Sequence, residues 1–173
     1  MTFLEVLVAL VILVTGILGT VALQAVAKKS SFDAMQRSLA SSLAQDIIER
    51  MRGNDATSLT LYQVGSPFGT GVVAAPTDCN QLANNCTPAD VTTHDLYEWE
   101  QSLIGTGTKN GTSNVGGLAS GIGCISVNGN RVTVAISWQG RTDVADSGNS
   151  ATGIDCGTKG KKRRQVVVDA FIL

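Results

Sequence analysis

The stretch MTFLEVLVALVILVTGILGTVALQAVAKK occupies residues 1–29, and its only acidic residue, Glu5, stands well before its first basic residue, Lys28. Residues 6–27 carry no charge. With a helical rise of about 1.5 Å per residue, this run extends about 33 Å, close to the thickness of the hydrocarbon core of a bilayer. The sequence therefore predicts a helix that can span a membrane.

This apolar run differs from a secretory signal peptide. A signal peptide starts with basic residues, has a shorter apolar region and ends at a small-residue cleavage site. Here the run starts apolar and continues into Lys28 and Lys29. The positive-inside rule associates basic flanks with the cytoplasmic side. A domain outside the membrane fits that rule if a short basic leader has been removed from the N-terminus.

The following residues keep a helical pattern but become amphipathic. In FDAMQRSLASSLAQDIIERM, residues 32–51, apolar side chains recur at steps of three and four, namely Phe32, Met35, Leu39, Leu43, Ile47 and Met51. Residues 1–52 contain no proline, and Gly53-Asn54 is a suitable stop. We expect one helix of about 78 Å. Its apolar half is residues 1–27, and its amphipathic half, residues 28–52, packs on a globular domain of residues 53–173.

Two glycines, Gly16 and Gly19, lie inside the apolar half. Each weakens a helix interior by about 1 kcal/mol relative to alanine. Glycine is also common in transmembrane helices. The pair is therefore either a flexible point in the helix or an ordinary feature of packing in lipid.

A second helix is predicted over residues 88–104. Thr87 is a suitable N-cap, Pro88 suits the first helical position, and Asp90 complements the helix dipole. One face of this helix, formed by Val91, Asp95, Leu96, Trp99 and Leu103, is mostly apolar. Trp99 is therefore expected to pack in the core.

The C-terminal part has the pattern of a small antiparallel sheet. Residues 132–138 alternate apolar and small or polar side chains, which is the period of a half-buried strand. Asn128-Gly129 predicts a hairpin turn to residues 125–127, and residues 165–173 supply a third strand. Residues 53–86 and 105–121 are polar or glycine-rich connections without strong periodicity. The predicted fold class is α+β.

All four cysteines lie beyond the long helix, which indicates disulfides in an oxidising compartment. Four cysteines allow three connectivities. We favour Cys79–Cys86 with Cys124–Cys156, because this arrangement closes two local loops. Zinc binding is the competing interpretation, but the chain has no C-x-x-C pair and only one histidine.

The segment MTFLEVLVALVILVTGILGTVALQA resembles the mature N-terminus of type IV pilins and pseudopilins. The resemblance implies that a prepilin peptidase removes a basic leader and methylates the new amino terminus at Met1. Glu5 matches the glutamate at the fifth mature position, which in that family is thought to neutralise the amino terminus of a neighbouring subunit. Met1 replaces the usual phenylalanine, and Ala22 replaces a proline found near this position in many major pilins. Any local melting in a filament would therefore rest on Gly16 and Gly19.

Three later segments narrow the resemblance. CTPADVTTHDLYEWEQSL, ISVNGNRVTVAISWQG and RRQVVVDAFIL are similar to parts of PilV-type minor pilins, the type IV pilus modification proteins. This resemblance implies the type IV pilin fold, in which the second half of the long helix packs on a small antiparallel sheet.

No catalytic or cofactor-binding constellation is recognisable, so neither an enzyme nor a cofactor is predicted. The sequence has no G-x-S-x-G, phosphate loop or H-E-x-x-H motif. His94 is expected to be a surface or partly buried histidine rather than a general base, because no recognisable nucleophile accompanies it. Asp143, Asp146 and Asp155 are too loosely spaced for a calcium loop.

One basic run, KGKKRR, is a candidate contact for DNA phosphates or another anionic surface. It contains Lys159, Lys161, Lys162, Arg163 and Arg164. A solvated turn leading into the last strand is the favoured interpretation, since the run has no interleaved aromatic residues.

These observations favour a structural subunit, a minor pilin that contributes to filament assembly, adhesion, motility or DNA uptake. Its expected partners are other pilin subunits, the prepilin peptidase and the pilus assembly machinery. It is expected to cross the bacterial inner membrane once, with the domain in the periplasm, and then to enter a surface pilus. Alternatives are a minor pseudopilin of a type II secretion system, a major pilin, or a membrane-anchored binding module that never polymerises.

Overall fold

The structure is a computed structural model that describes residues 2–71, 73–81, 84–144 and 155–173. The chain forms two compact units, Met1–Met35 and Gln36–Leu173, and helix α1 (Phe3–Gly53) runs through both. The second unit also contains a 3-10 helix (Ala56–Gln63), helix α2 (Pro88–Ile104) and two small sheets. The strands are β1 (Lys109–Asn110), β2 (Ser113–Asn114), β3 (Ile122–Asn128), β4 (Arg131–Gln139) and β5 (Arg163–Phe171).

The first unit consists of the apolar part of α1. Its apolar side chains are exposed, from Phe3 at 82% to Val26 at 66%. By length and composition, α1 qualifies as a candidate membrane span. This is the only such helix among the described residues. Apolar surface of this extent needs a covering of lipid or protein.

In the second unit, α1 buries one face against the domain. The buried residues follow the helical period from Gln36 onward: Gln36, Ala40, Leu43, Ala44, Ile47, Ile48 and Met51. The predicted stripe is therefore present, but Met35 is 58% exposed and the polar Gln36 lies on the buried face instead. Gln36 is satisfied there because its Oε1 accepts a hydrogen bond from the backbone N–H of Ala119 at 2.8 Å.

Helix α2 has the predicted bounds and the predicted cap. Thr87 and Asp90 form a capping box, in which each side chain accepts a hydrogen bond from the other residue's backbone N–H. Gly105 ends the helix in the left-handed region at φ 76°. Trp99 is fully buried, and its Nε1 donates a hydrogen bond to the Leu43 carbonyl at 2.8 Å. This bond fixes α2 against α1.

The main sheet is antiparallel with the order β3-β4-β5. The hairpin between β3 and β4 pairs Asn128 with Arg131, and Gly129 takes the φ of 60° that the Asn-Gly turn predicts. The even-numbered side chains of β4 at Val132, Val134 and Ile136 are buried in the core. The last strand starts at Arg163, two residues earlier than predicted, and ends at Phe171.

Two short elements were not predicted. The 3-10 helix is capped by Asp55, whose carboxylate accepts from the backbone N–H of Thr57. The two-residue strands β1 and β2 form a second sheet within the glycine-rich connection, where Gly111 has a φ of 62°. Elements this short leave little periodic pattern in a sequence.

Both disulfides join the pairs that the sequence favours. Cys79 and Cys86 close a loop before α2. Cys124 on β3 is bonded to Cys156, which is completely buried. The second disulfide holds the segment that precedes β5 against the sheet.

Candidate functional surfaces

The predicted assembly residues are at the start of the chain. Met1 lies outside the described residues. The Oε2 of Glu5 accepts a hydrogen bond from the backbone N–H of Thr2 at 2.8 Å, as an acidic residue in the first turn of a helix does. Val6 to Val8, which follow Glu5, are apolar and exposed. A carboxylate in such surroundings is costly to bury in lipid or protein unless a cation or donors compensate it.

Gly16 and Gly19 are inside α1, as predicted. A Cβ built on either glycine has no neighbouring atom within 4 Å among the described residues. Close packing within this chain therefore does not require glycine at either position. Their role in helix flexibility stays a prediction.

The five basic residues around the start of β5 do not form one surface. Arg163 is only 1% exposed, and its Nη1 donates to the carbonyls of Cys156 and Gly157 at 3.2 Å each. The same nitrogen lies 3.5 Å from the Asp155 carboxylate. Arg163 therefore fixes the turn that carries Cys156, next to the buried disulfide.

The other four cations are arranged differently. Lys159 pairs with Asp155 at 3.0 Å, and Arg164 donates to the carbonyl of Thr142 at 2.8 Å. Lys161 and Lys162 are exposed. An anion at this surface would therefore meet three lysines, one of them already paired, rather than five cations. No pattern in the basic run distinguishes the buried Arg163 from its less buried neighbours.

A polar cluster that the sequence analysis missed joins α1 to α2. Its centre is Arg50, whose guanidinium lies 3.1 Å from Asp46, 3.2 Å from Asp95 and 2.8 Å from Glu98. The second oxygen of Asp95 accepts from the hydroxyl of Tyr62 at 2.7 Å. The hydrogen bond from Arg50 lowers the pKa of Glu98. Burial, with the hydrogen bond to Asp95, raises the pKa of Tyr62 above its usual range.

His94 lies beside this cluster and connects α2 to the loop of the first disulfide. Its Nε2 is 3.1 Å from the amide nitrogen of Asn80 and 3.3 Å from the Glu98 carboxylate. The residue is 9% exposed. This position agrees with the predicted partly buried histidine, and its contacts are structural.

Glu100 holds the loop that follows the 3-10 helix. It is completely buried, and its carboxylate accepts hydrogen bonds from the backbone N–H groups of Gly69, Thr70, Gly71 and Val73 at 2.8 to 3.2 Å. A buried carboxylate with several N–H donors is satisfied without a counter-ion. Its function is therefore to order this loop.

An apolar cleft of about 400 Å³ lies between this loop, the 3-10 helix and α2. Its lining includes Leu61, Val64, Phe68 and Leu96. The oxygens of Glu100, which also contributes to the wall, are occupied by the loop N–H groups. The cleft therefore presents a neutral apolar surface.

The described residues contain no group of three or more His, Cys, Asp or Glu side chains placed to hold a metal ion. The contacts of His94, Glu98 and Glu100 are made within the fold.

These features define a class of protein: an α+β domain whose core includes residues of a long helix, the N-terminal part of which is apolar and exposed. The comparison with protein families matches part of this chain. Residues 22–97 match the Tt1218-like family, described as Type IV pilin Tt1218. No curated protein and no solved structure matches the chain significantly.

The family match supports a type IV pilin and, together with the helix and sheet arrangement, confirms the predicted fold class. It points to a structural protein rather than an enzyme, and to assembly with other pilin subunits. The matched residues include α2 up to Tyr97 but neither Glu5 nor the main sheet. The match supports the type IV pilin family but does not assign the chain to the narrower class of PilV-type minor pilins.

Proposed function

We propose that this chain is a structural subunit of a type IV pilus, and specifically a minor pilin of the PilV type. The observation that carries the proposal is the first unit, a helix whose apolar side chains are exposed and whose only charge before Lys28 is Glu5. The family match extends from residue 22 of this helix into α2. The PilV assignment rests on the resemblance of the later segments.

The helix has two environments in this proposal. Before assembly, the apolar half lies in the inner membrane, with the domain in the periplasm, where the two disulfides are stable. After assembly, the same surface packs against the helices of other subunits in the filament.

Gly16 and Gly19 lower the local stability of the helix, so the helix can bend or unwind at these positions during assembly. Alanine at both positions should slow amide hydrogen exchange of residues 12–20 in detergent micelles, and unchanged exchange would contradict that role.

Glu5 is proposed to make a specific contact with a neighbouring subunit when this chain moves from the membrane into the filament. A carboxylate among apolar helices is stable only when it is paired. The methylated amino terminus of Met1 in a neighbouring subunit is the proposed partner. The Glu5 carboxylate of one subunit pairs with the positive amino terminus of the next. This pairing therefore favours one relative position of neighbouring helices in the filament.

Replacement of Glu5 by alanine tests the proposal. We expect Glu5→Ala protein to accumulate in the membrane with an intact domain but to be absent from filaments examined by immuno-electron microscopy. The matched control is Glu49→Ala, which removes an exposed glutamate of the same helix that, among the described residues, forms an ion pair with Arg52 alone. The control should be incorporated. Normal incorporation of Glu5→Ala would overturn the role of Glu5.

The minor pilin role is separated from its alternatives by two measurements. A minor subunit is present in few copies in sheared, purified pili, whereas a major pilin dominates them. A deletion that abolishes protein secretion instead of twitching or adhesion would identify a pseudopilin of a type II secretion system.

A further inference from the structure

His94 is the only histidine of the chain, and it joins α2 to the disulfide loop, which the Cys79–Cys86 bond closes. The structure describes residues 79–81 and 84–86 of this loop. The amide nitrogen of Asn80 lies 3.1 Å from Nε2 of His94 and 3.3 Å from Oε1 of Glu98. One amide group of the loop therefore contacts two ionisable side chains of α2.

The neutral imidazole fits this arrangement in one tautomer. With its proton on Nδ1, the ring can accept a hydrogen bond at Nε2 from Asn80, whose second amide hydrogen is available to Glu98. The other tautomer places Nε2–H against the N–H groups of Asn80. A flipped amide places the oxygen of Asn80 against the Glu98 carboxylate. The hydrogen-bond network therefore assigns the accepting tautomer to the docked loop.

Protonation of Nε2 removes the acceptor that holds Asn80. A charged imidazole donates from both nitrogens, so Nε2–H and the amide of Asn80 become two donors 3.1 Å apart. The Glu98 carboxylate, 3.3 Å from Nε2, is then the partner of the ring in a charge-assisted hydrogen bond. Asn80 loses one acceptor and competes with the charged ring for the other.

The charged groups around His94 favour this exchange. The pKa of Glu98 is lowered chiefly by its hydrogen bond to Arg50, and the pKa of Asp78, which precedes the loop, is lowered chiefly by the backbone N–H of Asn80. The charge of His94 adds a smaller contribution to each. Arg50, the cation that α1 brings to this cluster, is paired with Glu98 and two further carboxylates. Two ionised carboxylates therefore stabilise the imidazolium when it forms.

We propose that protonation of His94 releases the disulfide loop from α2. Histidine changes its charge between about pH 5 and pH 8. Docking through Asn80 requires the neutral ring, so it is present at the upper end of this range and is lost as the pH falls. The Cys79–Cys86 bond keeps the released loop closed. This device lies within the domain and does not depend on the proposed filament function.

Hydrogen exchange of the full chain in detergent micelles, followed by NMR, tests the release. The backbone N–H groups of Asn80, Asn84 and Cys86 are hydrogen-bonded within the disulfide loop or to Asp78. After correction for intrinsic rates, they should exchange about threefold to tenfold faster at about pH 5 than at about pH 7.5. Both carboxyls with a lowered pKa stay ionised in this range.

The variant His94→Gln provides a neutral acceptor in place of Nε2. The loop of this variant should be equally protected at the two pH values. Unchanged protection of the wild-type loop at the lower pH would overturn the proposal. An equal acceleration in the wild type and in His94→Gln would overturn it as well, because another group would then be responsible.

The ring itself gives a second measurement that needs no variant of His94. In protein labelled with ¹⁵N-histidine, the shifts of Nδ1 and Nε2 distinguish the accepting tautomer from the charged ring, and loop exchange should follow the same titration curve. The ring of Asn80→Ala should take up its proton at a higher pH, because the bond that favours the neutral ring is gone. The matched control is Asn85→Ala, at an exposed asparagine of the same loop. Identical titration of the ring in Asn80→Ala and Asn85→Ala would contradict the docking bond.

Discussion

At the residue scale, Arg50 is the side chain that connects α1 to α2 by charge. Its three acidic partners come from both helices, and one of them, Asp95, is 8% exposed. Removal of the guanidinium leaves that carboxylate without its cation, which is more costly than the loss of an exposed ion pair. Arg50 therefore contributes to the position of α2 as well as to stability.

We predict that Arg50→Ala lowers the free energy of unfolding by about 2–3 kcal/mol. The control Arg52→Ala, which removes an exposed pair with Glu49, should change it by less than about 0.5 kcal/mol. Urea titration of the full chain in detergent micelles, followed by tryptophan fluorescence, measures both. Equal losses in the two variants would show that Arg50 has no special role.

The same cluster gives a pH dependence. Arg50 lowers the pKa of Glu98 in the folded state, whereas the unfolded value is about 4.3. The stabilisation is therefore present above the unfolded pKa and is lost as the pH falls through the folded value. Glu98→Gln removes this titration, so its stability should decline less than that of the wild type between about pH 5 and pH 3.

Other carboxyl groups with a lowered pKa are present in both the wild type and the Glu98→Gln variant. They are Asp55, Asp78, Asp90, Asp155 and Asp169. The difference between the two stability curves therefore reports the titration of Glu98. Urea titrations at several pH values provide the curves. Parallel curves for wild type and Glu98→Gln would contradict the assigned contact.

Hydrogen bonds and ion pairs between side chains and their partners were predictable from the sequence only where they are local. The capping box of Thr87 and Asp90 spans three residues, and its pattern is visible in the chain. Arg50 and Glu98 are 48 positions apart, and only the packing of two helices brings them together. The inward position of Arg163 likewise depends on the carbonyls of a turn fixed by the disulfide of Cys156.

At the scale of elements, the order of the loop beside α2 depends on Glu100. We predict that Glu100→Gln lowers the free energy of unfolding by about 2–3 kcal/mol, since the amide group places a donor against backbone N–H groups. Hydrogen exchange should accelerate at Gly69, Thr70, Gly71 and Val73. Mass spectrometry of the full chain in micelles measures this exchange, with the exposed Glu49→Gln as control. Unchanged protection in Glu100→Gln would refute the role of this carboxylate.

The long elements were predicted because their periodicity is strong. The bounds of α2 follow from a cap, a proline and an apolar stripe, and the hairpin of β3 and β4 follows from Asn128-Gly129. The 3-10 helix and the β1–β2 pair were missed because they are held by local turns rather than by a repeating apolar face. The apolar cleft was missed for a related reason, since its lining comes from segments far apart in sequence.

At the scale of the whole molecule, the chain combines a folded domain with a helix that its own fold does not cover. The core of the second unit includes residues of α1, α2 and the main sheet. The apolar side chains of the first unit have no such covering within the described chain. In the proposed function, lipid covers this helix before assembly and the helices of other subunits cover it afterwards.

The central claim is that this chain is a processed filament subunit, and mass spectrometry of sheared, purified surface filaments tests it most directly. We predict that the filaments contain this protein with a mature N-terminus at a methylated Met1. Recovery of the protein only from the membrane fraction, with an uncleaved leader before Met1, would contradict the claim and would identify a membrane-anchored module that does not polymerise.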